Sequence, residues 1–289
     1  MRPTLTVVVI GATGQQGGAV ARALLERGHQ VRAVTRQPDS TKAKELARAG
    51  ATLVTAALED TAALTRALEQ ATSLFAVTTP AEGTDAETRQ GISAANAAKA
   101  AGVHLVFTSV GSANTHTGIP HFDSKYAVER HIATIGVNAT ILAPVYFMEN
   151  LYFAKEQLAN GVYASPLPPT RQLAQVAVAD IGAVAVRVLE DSSRFAGRRI
   201  ELASDELTGN DVAAILSRVT SHPVTYKQIP LDVIRQRMGE DGVKMYEWFD
   251  RVGYAVDRAA HRREFPDVAF HDFESWAKMQ DWPALLRKA

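Results

Sequence analysis

Three side chains able to hold or pass on a proton fall close together in the chain: Ser109, His121 and Lys125. An imidazole has an ordinary pKa of about 6.5, so His121, which opens the stretch "HFDSKYAVER", can exchange a proton near neutral pH. Lys125 lies four residues on, and its ammonium can donate a proton, stabilise a developing oxyanion or grip ribose hydroxyls. Ser109 ends the apolar run "HLVFTS", twelve positions before His121, where a hydroxyl serves either chemistry or the backbone of the next loop. Tyr126 is about 100° round a helix from Lys125 and points another way. Three assignments stay open here: His121 as proton donor, Lys125 as proton donor, or Lys125 as a ligand anchor with His121 a polar residue at a helix start.

A second constellation lies at the N-terminus, where "GATGQQGG" follows an apolar β-branched run directly and opens a helix. The frame is G-x-x-G-x-x-G. Gly11 permits the tight turn, Gly14 lets the backbone approach a pyrophosphate, and Gly17 lets the helix pack closely on the strand. The unpaired N–H groups and positive dipole end of that helix complete an anion site. A site selective for NAD wants an acidic residue at the end of the second strand, but here the chain has Thr35 and Arg36. A guanidinium at that point pairs with a 2′-phosphate and stacks on adenine, so the expected cofactor is NADP(H). Lys42, in "STKAKEL", is either a second charge for that phosphate or a solvated helix-face lysine.

Both constellations need a frame. Apolar runs at 5–10, 29–36, 51–57, 73–79, 104–110 and 139–144 read as strands, the inner ones without polar alternation, as in a parallel sheet covered on both faces. Helical stretches alternate with them, which predicts an α/β, Rossmann-type doubly wound parallel sheet with right-handed crossovers. After Pro144 the pattern loosens, with prolines at 166, 168 and 169 marking a loop. One more helix and a strand at 197–204 restore the alternation, and from about 205 the chain reads as helical and aromatic. The expected division is therefore 1–145 plus about 176–204 as an NADP(H)-binding domain. About 146–175 plus 205–289 form a smaller C-terminal lobe over the carboxyl edge of the sheet. Tyr246, Trp248 and Phe249 either wall an aromatic substrate or form the core of that lobe.

Composition narrows the function. Among 289 residues, Lys plus Arg and Asp plus Glu balance at 31 each, which leaves no global field for nucleic acid or an anionic membrane. Cysteine is absent, so disulfides, thiolate metal sites and a cysteine nucleophile are excluded, and the other histidines show no metal-ligand spacing. The first apolar run is too short for a signal or a span, and the chain reads as soluble and cytoplasmic, a monomer or homodimer.

With "GATGQQGG", "VTRQP", "FTSVGS", "HFDSK" and "APVYFMENL" together, the chain resembles NmrA-like proteins of the atypical short-chain dehydrogenase superfamily, and is most similar to the branch of NADPH sensors. That resemblance implies a Rossmann domain and a smaller lobe forming a cleft over the nicotinamide. It implies phosphate contacts from Thr13, Gly14, Gln15 and Gln16, a 2′-phosphate contact from Arg36, and Thr78 and Thr79 beside the adenosine ribose. Pro144, Val145 and Phe147 are implied at the nicotinamide end. Relatives often carry an aspartate near the adenine amino group, where this chain has Ala57, then Leu58, Glu59 and Asp60. Ordinary short-chain dehydrogenases use a serine, a tyrosine and a lysine four residues after it. Ser109 and Lys125 match two of these places, and His121 stands at the tyrosine's. In isoflavone-type relatives the lysine itself acts. The family divides between reductases and sensors. The expected function is an NADPH-dependent oxidoreductase reducing a quinone, enone or related conjugated electrophile. The alternative is a non-catalytic NADP(H) redox sensor that regulates a protein partner.

Overall fold

The computed structural model describes residues 3–286. Six strands follow the apolar runs: β1 (Thr6–Ile10), β2 (Gln30–Thr35), β3 (Thr52–Thr55), β4 (Ser73–Val77), β5 (His104–Thr108) and β6 (Ala139–Pro144). Five helices alternate with them: α1 (Gln15–Glu26), α2 (Thr41–Arg48), α3 (Thr61–Ala67), α4 (Thr84–Ala101) and α5 (Pro120–Ile135). With a seventh strand, Arg199–Leu202, the sheet order is Arg199–Leu202, β6, β5, β4, β1, β2, β3. Every neighbouring pair from β6 to β3 is parallel.

The central strands are buried along nearly their whole length because helices cover both faces, and this is why they lack polar alternation. Val8, Ile10, Leu74, Leu105 and Phe107 share one core with the alanine-rich face of α4. Those alanines let α4 lie close to the sheet. Gly91 lets it lie close to α5, since a Cβ there would stand 2.5 Å from Val128 Cγ2. Chain order runs outward from β1 to β3 and then returns to β4 on the other side of β1. The order of strand addition therefore reverses between β1 and β4, and in open α/β sheets ligands bind outside the carboxyl ends of the strands at such a switch point.

The chain divides into two compact units, one of Met1–Pro144 with Ile181–Glu201 and the other of Val145–Asp180 with Leu202–Ala289. The second unit departs from the reading of the chain from about 205 onward as helical, and it carries strands where the pattern loosens after Pro144. It contains a sheet of strands Asp205–Leu207, Leu173–Val176 and Tyr146–Phe147, and a parallel pair Val162–Ser165 with Thr225–Gln228. Strands of two to four residues are too short to show a period of two, so the sequence pattern could not reveal them. Its core joins Met148, Leu151, Leu216, Phe273, Trp276 and Trp282, and the half-buried Glu149 accepts hydrogen bonds from Val178 N (3.1 Å) and Trp276 Nε1 (2.9 Å). Among the described residues no helix is long and apolar enough to cross a membrane.

Candidate functional site

The glycine turn sits at the reversal point. Gly11 has φ +76°, and a Cβ there would stand 2.3 Å from Val77 Cγ1 at the end of β4, so both conformation and space demand glycine. Gly17 is as constrained, because its Cβ would stand 2.3 Å from the carbonyl oxygen of Gly11. Gly14 differs from both. It begins α1 in an extended conformation, donates to Gly11 O at 2.9 Å, and a Cβ on it would meet only that oxygen, at 3.2 Å. That single contact is tight, but nothing else lies within 4 Å, so the outer face of the turn carries no packed side chain.

No side chain caps α1. Gly18 N returns to Gly14 O at 3.1 Å, and the N–H groups of Gln15, Gln16 and Gly17 precede the first helical acceptors. These groups, with the dipole end behind them, can hold a phosphate. Thr13 is half-buried and Gln15 exposed beside this face, whereas Gln16 is tied inward, its Oε1 accepting from Thr108 Oγ1 at 2.7 Å. Arg36 is the first residue beyond β2 and is exposed, its Nη1 2.5 Å from Glu82 Oε1. Of the acids after β3, Glu59 pairs with Arg89 at 3.0 Å and Asp60 caps α3 through Ala63 N, while Ala57 is exposed.

Lys125 points inward from α5 and is buried. Its Nζ stands 2.9 Å from Glu87 Oε1 on α4, and donates to the carbonyl (3.2 Å) and hydroxyl (3.3 Å) oxygens of Thr78, just past β4. Glu87 has no exposed surface. Its Oε2 accepts from Ser124 Oγ at 2.5 Å, and Thr78 Oγ1 lies 3.3 Å from its Oε1. Carboxylate and ammonium thus neutralise each other with their hydrogen-bonding capacity matched, which is the condition for holding two charges in an interior. The close approach of Gly91 and Val128, about one turn beyond each partner, brings the two helices near enough for the pair to form.

Ser109 belongs to a different network. Its hydroxyl donates to Glu129 Oε1, one helical turn after Lys125. Arg199 Nε binds Glu129 Oε2 at 3.0 Å, while its Nη1 reaches Glu201 Oε1 at 2.5 Å and its Nη2 the Val110 carbonyl at 2.8 Å. Ser112 N also donates to Glu201 Oε1, so this network braces the loop after β5. The bonds of Lys125 lead instead to β4 and α4, and the two groups are not joined into one proton-transfer unit. His121 is half-buried in the first turn of α5, its ring edge-on to Phe122 at 4.8 Å and its carbonyl accepting from Ser124 Oγ at 3.1 Å. Thr79 is exposed, and Pro144 ends β6 with its carbonyl accepting from Gly111 N at 2.9 Å. In the second unit Val145 is buried and Phe147 half-buried. There Phe249 packs against Trp248 (5.9 Å), Tyr246 (5.7 Å) and Tyr254 (5.2 Å), which makes the aromatic group at 246–249 a packed cluster.

Glu87, Ser124, Glu129 and Arg199 escaped the sequence reading. A signal existed: Glu87 falls on the same face of α4 as Gln90, Gly91 and Ala94, and Glu129 on the face of α5 that carries Lys125 and Val128. A charge on an otherwise apolar or small-residue face needs a partner, and two such helices in sequence offer each other one.

Comparison with known proteins adds four findings. The model of the NmrA-like family matches residues 3–277. Among curated proteins, quinone oxidoreductase 2 of Escherichia coli strain K12 is 32% identical over 228 residues, covering 77% of each chain. Nitrogen metabolite repression protein nmrA of Emericella nidulans is 27% identical over 241 residues, covering 78% of this chain and 68% of that protein. Among solved structures, that of an NADPH-dependent quinone oxidoreductase of Escherichia coli complexed with NADPH is similar at a TM-score of 0.79. It is 26% identical and covers 94% of this chain and 98% of its own.

Proposed function

We propose that this chain, which belongs to the NmrA-like family, is an NADPH-dependent oxidoreductase that reduces a conjugated electrophile such as a quinone or enone. One observation carries the reading: exposed Gly14 leaves the outer face of the turn bare, in front of an uncapped helix at the point where the strand order reverses. The likeness to a quinone oxidoreductase, and to one crystallised with NADPH, supports the reaction class.

A reduced nicotinamide, when bound, supplies a hydride. The residues of this chain hold it. Gly14 and the N–H groups that open α1 take the pyrophosphate, with Thr13 and Gln15 beside them, and Arg36 takes the 2′-phosphate. Thr78, held by Lys125, and Thr79 serve the ribose groups, and Pro144 the nicotinamide end. Lys125 has Glu87 and two oxygens of Thr78 as partners for its three N–H donors, so it acts by fixing Thr78 just past β4 rather than by touching the cofactor. Reducing a conjugated acceptor places charge on an oxygen that solvent can protonate, and so does not need a dedicated acid.

A second reading has its own support: the hydrogen bonds of both Lys125 and Ser109 are committed inside the fold, and nitrogen metabolite repression protein nmrA is a relative. The protein is then a redox sensor that binds NADP(H) and a regulatory protein partner without turnover. Following NADPH absorbance against a panel of quinones, enones and imines separates the two. Oxidation with at least one acceptor is expected. Tight NADPH binding with no oxidation across the panel overturns the reductase in favour of the sensor.

A further inference from the structure

The guanidinium of Arg36 is already engaged by an acid of this chain. Its Nη1 lies 2.5 Å from Glu82 Oε1, and the other carboxylate oxygen of Glu82 accepts from Gln90 Nε2 at 3.2 Å. Gln90 is buried in α4, and the amide makes this bond with its own Oε1 buried and unpaired. A surface carboxylate is thus steadied from below while it faces the arginine. Glu82 ends the short turn Pro80–Glu82 and is followed by Gly83 at φ +94°, which has open space around it.

To a guanidinium a carboxylate offers the same kind of acceptor oxygens as a phosphate. We propose that Glu82 is a built-in competitor for the 2′-phosphate, a residue that determines selectivity by occupying Arg36 whenever that phosphate is absent. The proposal rests on the reading of Arg36 as the 2′-phosphate contact. NADH, which lacks the phosphate, leaves the Arg36–Glu82 pair intact. NADPH must break it and bring a dianion beside the displaced carboxylate. Glu82 therefore acts against NADPH alone and narrows the preference that Arg36 creates. Both partners are about half exposed, so the effect is modest and weakens with salt.

Equilibrium binding of NADPH, NADH and adenosine 2′,5′-bisphosphate tests this in wild type, Glu82→Gln and Asp39→Asn, at low and high ionic strength. Asp39 lies three residues past Arg36, is exposed and contacts Lys44 at 3.4 Å, so its variant removes a nearby negative charge without touching the Arg36–Glu82 pair. Glu82→Gln is expected to tighten NADPH and the bisphosphate by about three- to ten-fold at low salt, with NADH changed by less than about two-fold and the gain fading in high salt. Asp39→Asn should give a smaller gain. Unchanged or weaker NADPH binding in Glu82→Gln, or an equal gain from Asp39→Asn, overturns the proposal. Arg36→Ala made in the Glu82→Gln background should weaken NADPH and leave NADH unchanged; unchanged NADPH affinity there overturns the Arg36 reading beneath the proposal, which separates the two failures.

Discussion

Lys125 Nζ stands 2.9 Å from Glu87 Oε1, and the two close a buried ion pair between α5 and α4 directly beneath the end of β4. Removing one partner leaves the other charged and desolvated. Lys125→Met or Glu87→Leu alone should each cost about 3–5 kcal/mol in denaturant unfolding, while the double substitution should recover a large part of that loss. Additive losses would show that the pair is not coupled. In turnover, Lys125→Ala should raise KM for NADPH and leave kcat nearly unchanged at saturating cofactor if Lys125 only anchors. A fall of about 10²-fold in kcat at saturation would make it a catalytic residue.

Gly14 and Gly17 lie in one turn but should fail differently. Gly14→Val puts a side chain into the open face of the turn, so NADPH binding by calorimetry should collapse, while its one tight contact, 3.2 Å to the Gly11 carbonyl oxygen, should lower the unfolding midpoint less than Gly17→Ala does. Gly17→Ala drives its Cβ against the Gly11 carbonyl and should cost about 1–3 kcal/mol of stability. Unchanged NADPH affinity in Gly14→Val would mean that the phosphates bind elsewhere.

Ser109 donates to a buried carboxylate that also holds Arg199, so its loss should appear in folding rather than in rate. Ser109→Ala is expected to lower stability by about 1–3 kcal/mol and change turnover by less than about three-fold. His121→Phe should likewise affect turnover less than Lys125→Ala. A loss of about 10²-fold in either variant would restore it as a proton donor.

His104 opens β5 with its ring between Asn138 Oδ1 and Thr140 Oγ1, each 3.1 Å away. Burial pushes its pKa below the usual 6.5, and the hydrogen bond with Asn138 opposes this only in part. A depressed folded-state pKa means that the stability from neutral His104 is complete above pH 6.5 and is lost as pH falls through the lower folded value. Denaturant midpoints measured from pH 8 to pH 5 should therefore drop in wild type and drop less in His104→Leu. Parallel curves would locate the acid sensitivity in other groups.

What the sequence determined by itself was local. The strands and helices of the nucleotide-binding half are legible because each is long enough to show its period, and the tight packing at Gly11 and Gly17 because it depends on position relative to a strand end. The short strands at 146–147, 162–165 and 225–228 carry no such period, and they form only because partners distant in the chain supply the other side of each ladder. The same holds for the charges. Spacing brought Lys125 into view but could not say where its ammonium goes, since Glu87 is 38 positions away and meets it only where Gly91 lets α4 lie against Val128 of α5. Nor could spacing show that Ser109 and Lys125, matched to one reaction by their positions in the chain, are drawn into separate networks by Glu129 and Glu87. Tertiary structure decided these points because a buried charge takes whichever partner the packing of helices brings within reach, whatever their separation in sequence.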